Sequence, residues 1–150
     1  MRDIKKDVVF GNRCEKIIKP IIDNIFGDLT LSEDKFANFD FYNDNYYVEH
    51  KQRSIRGNQF NSLYFDKVKY NKYLELREEN PKLRFFIIWS CLDDRYIWEF
   101  QDQVKPDGDC CFYERLQCNQ DRGKGYLQNT RMINVWNCEI QKLKDFKTLI

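Results

Sequence analysis

Between Cys14 and Ile25 the apolar residues fall at 14, 17, 18, 21, 22 and 25, the one-sided repeat of an amphipathic helix. Pro20 removes a backbone donor inside that repeat and predicts a kink, and Gly27-Asp28 predicts the end of the helix. The pattern then changes. Phe36 to Tyr42 and Tyr46 to Arg53 are aromatic, β-rich runs separated by Asn43-Asp44-Asn45, residues that tolerate turn geometry, which predicts a hairpin. Ser54 to Asn61, with Gly57 and Asn58, reads as a loop, and Phe65 to Glu79 has helical composition stopped by Asn80-Pro81. Leu83 to Ser90 is a continuous apolar run of strand length, and Tyr96 to Phe100 follows across Asp93-Asp94 as a second hairpin at the buried centre of a sheet. Further on, Cys110 to Leu116 and Met132 to Trp136 read as strands joined by a polar loop, with a short terminal helix over Ile140 to Phe146. The order helix, hairpin, helix, hairpin predicts an α/β (α+β) fold, a mixed central sheet flanked by helices.

Composition narrows this picture. At 150 residues, 42% hydrophobic and 16% aromatic, the chain suits one domain over 1–150 with a single core. A net charge of +1, from 25 basic against 24 acidic residues, leaves no global positive field, so contact with a polyanion must come from a local patch. No apolar run approaches the roughly 18 residues that span a bilayer, and Met1 to Asp7 lacks the apolar core of a signal peptide. The expectation is a soluble intracellular protein without membrane partners. The six cysteines, at 14, 91, 110, 111, 118 and 138, then read as reduced thiols. Cys110, Cys111, Cys118 and Cys138 as zinc thiolates are the alternative, although no Cys-x-x-Cys pair is present and the lone histidine, His50, is distant in sequence.

Candidate chemistry lies in the first hairpin. In Tyr47-Val48-Glu49-His50-Lys51-Gln52-Arg53 side chains two apart share a strand face, so Glu49 and Lys51 project together while His50 points to the other side as a packed or hydrogen-bonded residue. Asp40, in Phe39-Asp40-Phe41, can converge on Glu49 across the hairpin, its aromatic neighbours turning into the core. That pairing requires Tyr42 opposite Tyr47 and a four-residue loop, Asn43 to Tyr46; a three-residue loop would place Asp40 opposite Val48 and require a bulge. Two carboxylates are hard oxygen ligands suited to Mg²⁺ or Mn²⁺, and a lysine beside them can orient a water and neutralise phosphoryl oxygens. Glu33-Asp34-Lys35 repeats the tripeptide pattern, but in a polar connection with no strand acid before it.

Asp40 followed by Glu49-His50-Lys51, with a helix carrying Glu15 before and a helix and apolar strand after, resembles the PD-(D/E)XK nuclease superfamily over roughly residues 11 to 100, leaving 101–150 as an extension. The likeness is to its small Holliday-junction-resolvase-like members and those of phages and large DNA viruses. It implies a restriction-endonuclease-like core and hydrolysis of DNA to 5′-phosphate and 3′-hydroxyl ends, with junction or branched DNA as one substrate class beside duplex, flap and single strand. It also implies Asp40, Glu49 and the backbone carbonyl of His50 as metal ligands, Lys51 as the catalytic lysine and Glu15 as an outer ligand. The superfamily's proline before the aspartate is replaced by Phe39. On the helix, Glu15 falls at the edge of the apolar stripe, where it can look toward the sheet or serve as an ordinary first-turn acid.

Lys51, Arg53, Arg56, Lys67, Lys69 and Lys72, interleaved with Tyr64, Tyr70 and Tyr73, suit phosphate contact and base stacking, or a solvated helix face. Arg53, Arg56, Lys67, Lys69 and Tyr70 are the candidate DNA contacts. Arg122-Gly123-Lys124-Gly125 lacks the spacing of a phosphate-binding loop. The aromatic surplus fills a core and is compatible with homodimerisation through a sheet edge. Two rival readings remain. One is a nuclease fold kept as a non-cleaving nucleic-acid-binding module, and the other treats Tyr47, Glu49, Lys51 and Arg53 as the solvated face of a strand.

Overall fold

A computed structural model describes residues 4–33, 39–101, 112–120 and 127–147. Helix α1 (Ile4–Phe26) runs on through Pro20, which is exposed, and ends at Gly27, whose positive φ of 86° lets its N–H reach back to the Asp23 carbonyl at 2.9 Å. Strands β1 (Thr30–Leu31), β2 (Phe41–Tyr42) and β3 (Tyr46–Gln52) follow as an antiparallel set. Strand β4 (Ser62–Asp66) leads directly into α2 (Lys67–Glu79), then β5 (Arg84–Ser90) and β6 (Arg95–Glu99). Strands β7 (Phe112–Gln120), β8 (Leu127–Trp136) and β9 (Gln141–Lys142) complete the elements used here.

Among the described residues the central sheet has six strands in the order β1-β2-β3-β5-β6-β9, and β4-β8-β7 form a second, antiparallel sheet of three. The central sheet is mixed because β3 and β5 run parallel, joined by a crossover that contains β4 and α2. The fold is therefore mixed α/β, as the sequence predicts. Strand alternation divides its core in two. Val48, Phe86, Ile88 and Ile97 meet Ile18, Ile22 and Phe26 of α1 on one face. Phe85, Ile87, Trp89 and Trp98 face the second sheet and α2 through Leu63, Phe65, Phe112, Ile133, Val135, Tyr70 and Tyr73. Both helices and the second sheet are thus held by apolar contact.

Three expectations are corrected. Phe65 and Asp66 belong to β4, because Leu63 and Phe65 alternate into the core in a period-two pattern, and α2 begins at Lys67. The segment 140–146 forms no α-helix: Gln141 and Lys142 pair with β6, and Leu143–Asp145 form one 3₁₀ turn around the buried Leu143. Strand β2 is short, with residues 36–38 of the predicted run outside the described residues. No helix among the described residues is long and apolar enough to cross a membrane.

Candidate active site

The hairpin register places Tyr42 opposite Tyr47 and Phe41 opposite Val48, the alignment that sets Asp40 across from Glu49. Asn43 builds the turn: its side-chain oxygen accepts from the N–H groups of Asn45 and Tyr46 at 2.9 and 2.8 Å, and its own N–H donates to the Tyr46 carbonyl at 2.9 Å. Tyr42 and Tyr47 stack across the strands with centroids 5.8 Å apart.

Beyond Phe41 the ladder to β3 gives way to side-chain bonds. The chain bends at Asp40, so Phe39 and Phe41, both fully buried, enter opposite core clusters instead of sharing one face. Ser32 holds the bend from the other side, its N–H reaching the Asp40 carbonyl at 2.8 Å and its hydroxyl the Phe39 carbonyl. The Asp40 N–H donates to Glu49 Oε1 at 3.1 Å, and Asp40 Oδ2 accepts the His50 N–H at 3.0 Å. Each acid is therefore oriented by the backbone that carries the other.

The strand phase also orients His50. Tyr46 bonds toward β2 and Arg53 toward Ser90 of β5, so even-numbered residues of β3 turn their main-chain groups to the β2 edge. By that phase the His50 carbonyl shares the edge of its N–H, the edge along which Asp40 stands. The imidazole lies on the opposite face, its Nε2 2.7 Å from Ser90 Oγ. Burial, with Arg95, Lys51 and Arg53 nearby, pushes its pKa down to about 4, so the ring is neutral near pH 7 and unsuited to act as a base.

Asp40 and Glu49 are 7% and 1% exposed. Burial first, and the adjoining Glu49 carboxyl after it, raise the Asp40 carboxyl from 3.8 to about 8 against the opposing pull of the His50 N–H and Lys51. Glu49 Oε2 carries two ammonium ions, Lys51 at 3.2 Å and Lys69 at 3.6 Å. Two buried hard-oxygen acids, on a strand edge that also carries the His50 carbonyl, fit a divalent cation of the Mg²⁺ or Mn²⁺ kind. Among the described residues no three His, Cys, Asp or Glu side chains converge, so such an ion would complete its shell with that carbonyl and water.

Glu15, half-buried, stands on α1, whose Ile18 and Ile22 pack on the other face of the sheet from Glu49 and Lys51. Of the proposed DNA contacts, Arg56 is exposed, and Arg53 lies over the Tyr64 ring 5.4 Å from its centroid. Lys67 pairs with Glu114 at 3.0 Å. Two placements correct the sequence reading. Tyr70 cannot stack on a base, because its ring is enclosed by Tyr73, Phe100 and Phe112 and its hydroxyl donates to the Gln101 carbonyl at 3.2 Å. Lys69 is 5% exposed and reaches Glu49 from α2 rather than lining a surface patch. No sequence spacing announced that contact, since it depends on how α2 packs over β3. Cys110 and Cys111 lie outside the described residues, and Cys14, Cys91 and Cys138 are not joined in disulfides. Asp34 and Lys35 of the second tripeptide also lie outside them.

The chain matches no protein-family model, no curated protein and no solved structure, so the site's own geometry carries the functional argument.

Proposed function

We propose that this chain is a Mg²⁺- or Mn²⁺-dependent endonuclease that hydrolyses phosphodiester bonds in DNA, on a core of the restriction-endonuclease type, and prefers junction or branched substrates. The observation that carries the reading is the buried Asp40–Glu49 pair with the Lys51 ammonium 3.2 Å from Glu49. A surface strand face would leave these acids in water. Buried, Asp40 is held protonated near pH 7 and Glu49 is compensated by Lys51 and Lys69, an arrangement that a divalent cation can replace, which favours a working site over a decorative one.

Asp40, Glu49 and the His50 carbonyl are the groups that would hold the metal. When bound, the ion supplies Lewis-acid stabilisation of charge at phosphorus and lowers the pKa of the attacking water. The rest falls to the chain. Glu49 is fixed by the Asp40 N–H, Asp40 by the His50 N–H, and Lys51 extends along the same face to orient the water and neutralise a phosphoryl oxygen. Arg53 and the exposed Arg56 continue the line of positive charge past Lys51 and suit contact with the DNA backbone.

Cleavage of labelled linear, branched and single-stranded DNA in Mg²⁺ or Mn²⁺ tests the reading. Cutting is expected to need the metal, to be strongest on branched DNA, and to fall by about a hundredfold or more in folded Asp40→Ala and Lys51→Ala variants. Intact DNA in every reaction, with binding retained, would replace the enzyme by a non-cleaving DNA-binding module.

A further inference from the structure

Lys51 and Lys69 approach the same oxygen, Glu49 Oε2, from different elements. Their freedom differs. The Lys51 side chain is 21% exposed and can turn toward solvent, whereas the Lys69 side chain is 7% exposed and enters from the first turn of α2. A buried ammonium ion that loses its carboxylate must find another anion or carry the full cost of desolvation.

We propose that Lys69 is a positioning residue that couples metal binding to substrate binding, holding Glu49 until a DNA phosphate arrives to take its ammonium ion as the divalent cation takes the carboxylate. The inference rests on the metal-dependent nuclease reading. Its basis is charge balance: two ammonium ions already face the one Glu49 carboxylate, and a divalent ion adds two more positive charges in a buried space. Alone, the metal meets repulsion from a lysine that cannot leave. With a phosphate present, the same lysine has a new partner, so each ligand strengthens the other by an equal factor. Lys51, able to swing outward, opposes the lone metal less.

The test reads Mn²⁺ affinity, by the paramagnetic resonance of the free ion, with and without a short branched DNA. It is made in a Lys51→Ala background that leaves the DNA intact. DNA is expected to tighten Mn²⁺ binding about tenfold in Lys51→Ala. In Lys51→Ala/Lys69→Met, Mn²⁺ alone should bind about tenfold more tightly, with DNA adding less than about twofold. Lys69→Arg, which keeps the charge, should keep the coupling, and Lys69→Gln carries the same comparison should the Met variant unfold. Undiminished coupling in a folded Lys69→Met or Lys69→Gln variant overturns the proposal while leaving the metal site standing. Mn²⁺ binding that Asp40→Asn fails to weaken overturns the metal reading itself and this inference with it.

Discussion

At the scale of single residues, the site is made by a bend at one acid. Had β2 continued as a regular strand, Phe39 would have shared a face with Phe41, and the His50 N–H would have faced a main-chain acceptor. Instead Asp40 Oδ2 takes that N–H, and two carboxyl groups meet in the interior. Folded, Asp40 keeps its proton to about 8; unfolded, it releases it near 3.8. The folded state therefore binds more protons between those values, and the metal-free protein loses stability as pH rises through them. His50 acts oppositely but lower: its contribution is full above 6.5 and lost as pH falls to about 4. Between pH 6.5 and 8 the Asp40 effect is therefore unopposed by His50, and it amounts to at most about 2 kcal/mol. Thermal melts in EDTA should show wild type weakening across that interval and Asp40→Asn holding level. A wild-type melting temperature that climbs there would contradict the placement of Asp40.

At the scale of elements, the site depends on how β3, the loop after it and α2 are pinned. Gly57 shows one such constraint. A Cβ on it would fall 2.2 Å from the Tyr96 ring, whose hydroxyl donates to Asp93 at 2.5 Å, while the Gly57 N–H donates to the other Asp93 oxygen at 2.9 Å. The loop is thereby clamped against β6. Gly57→Ala should destabilise the fold by about 1–3 kcal/mol, read by chemical denaturation. An unchanged midpoint would mean that the ring moves aside at no cost. The start of α2 is tied down by Lys67 on Glu114, which also receives Arg131 at 3.0 Å, so the second sheet fixes the helix that delivers Lys69. Those contacts were illegible in the sequence. They join residues as far apart as 67 and 131, and the composition of Phe65 to Glu79 conceals where the strand ends and the helix begins.

At the scale of the whole molecule, hydrophobic periodicity revealed the second half of α1, and β-rich runs and turn residues revealed the two hairpins. Composition with the Asn80-Pro81 stop revealed α2, while the order of these elements pointed to the mixed sheet. The sequence narrowed the first hairpin to two registers, and the structure selects the one with Tyr42 opposite Tyr47, held by the Asn43 turn and the stacked tyrosines. What local pattern could not convey was layering. The segments around Leu63, Phe112 and Ile133 form a second sheet over the face that carries Glu49, and that sheet buries Tyr70 and brings Lys69 inward. On the proposed reading, the buried Asp40 and Glu49 are the carboxyl pair that receives a divalent cation. Diffraction from crystals soaked in Mn²⁺, recorded at the manganese absorption edge, tests that claim most directly. One anomalous peak bonded to the carboxylates of Asp40 and Glu49 and the His50 carbonyl is expected, absent from Asp40→Asn crystals. Soaked crystals with no peak there, and with Glu49 still held by Lys51 and Lys69, would contradict it.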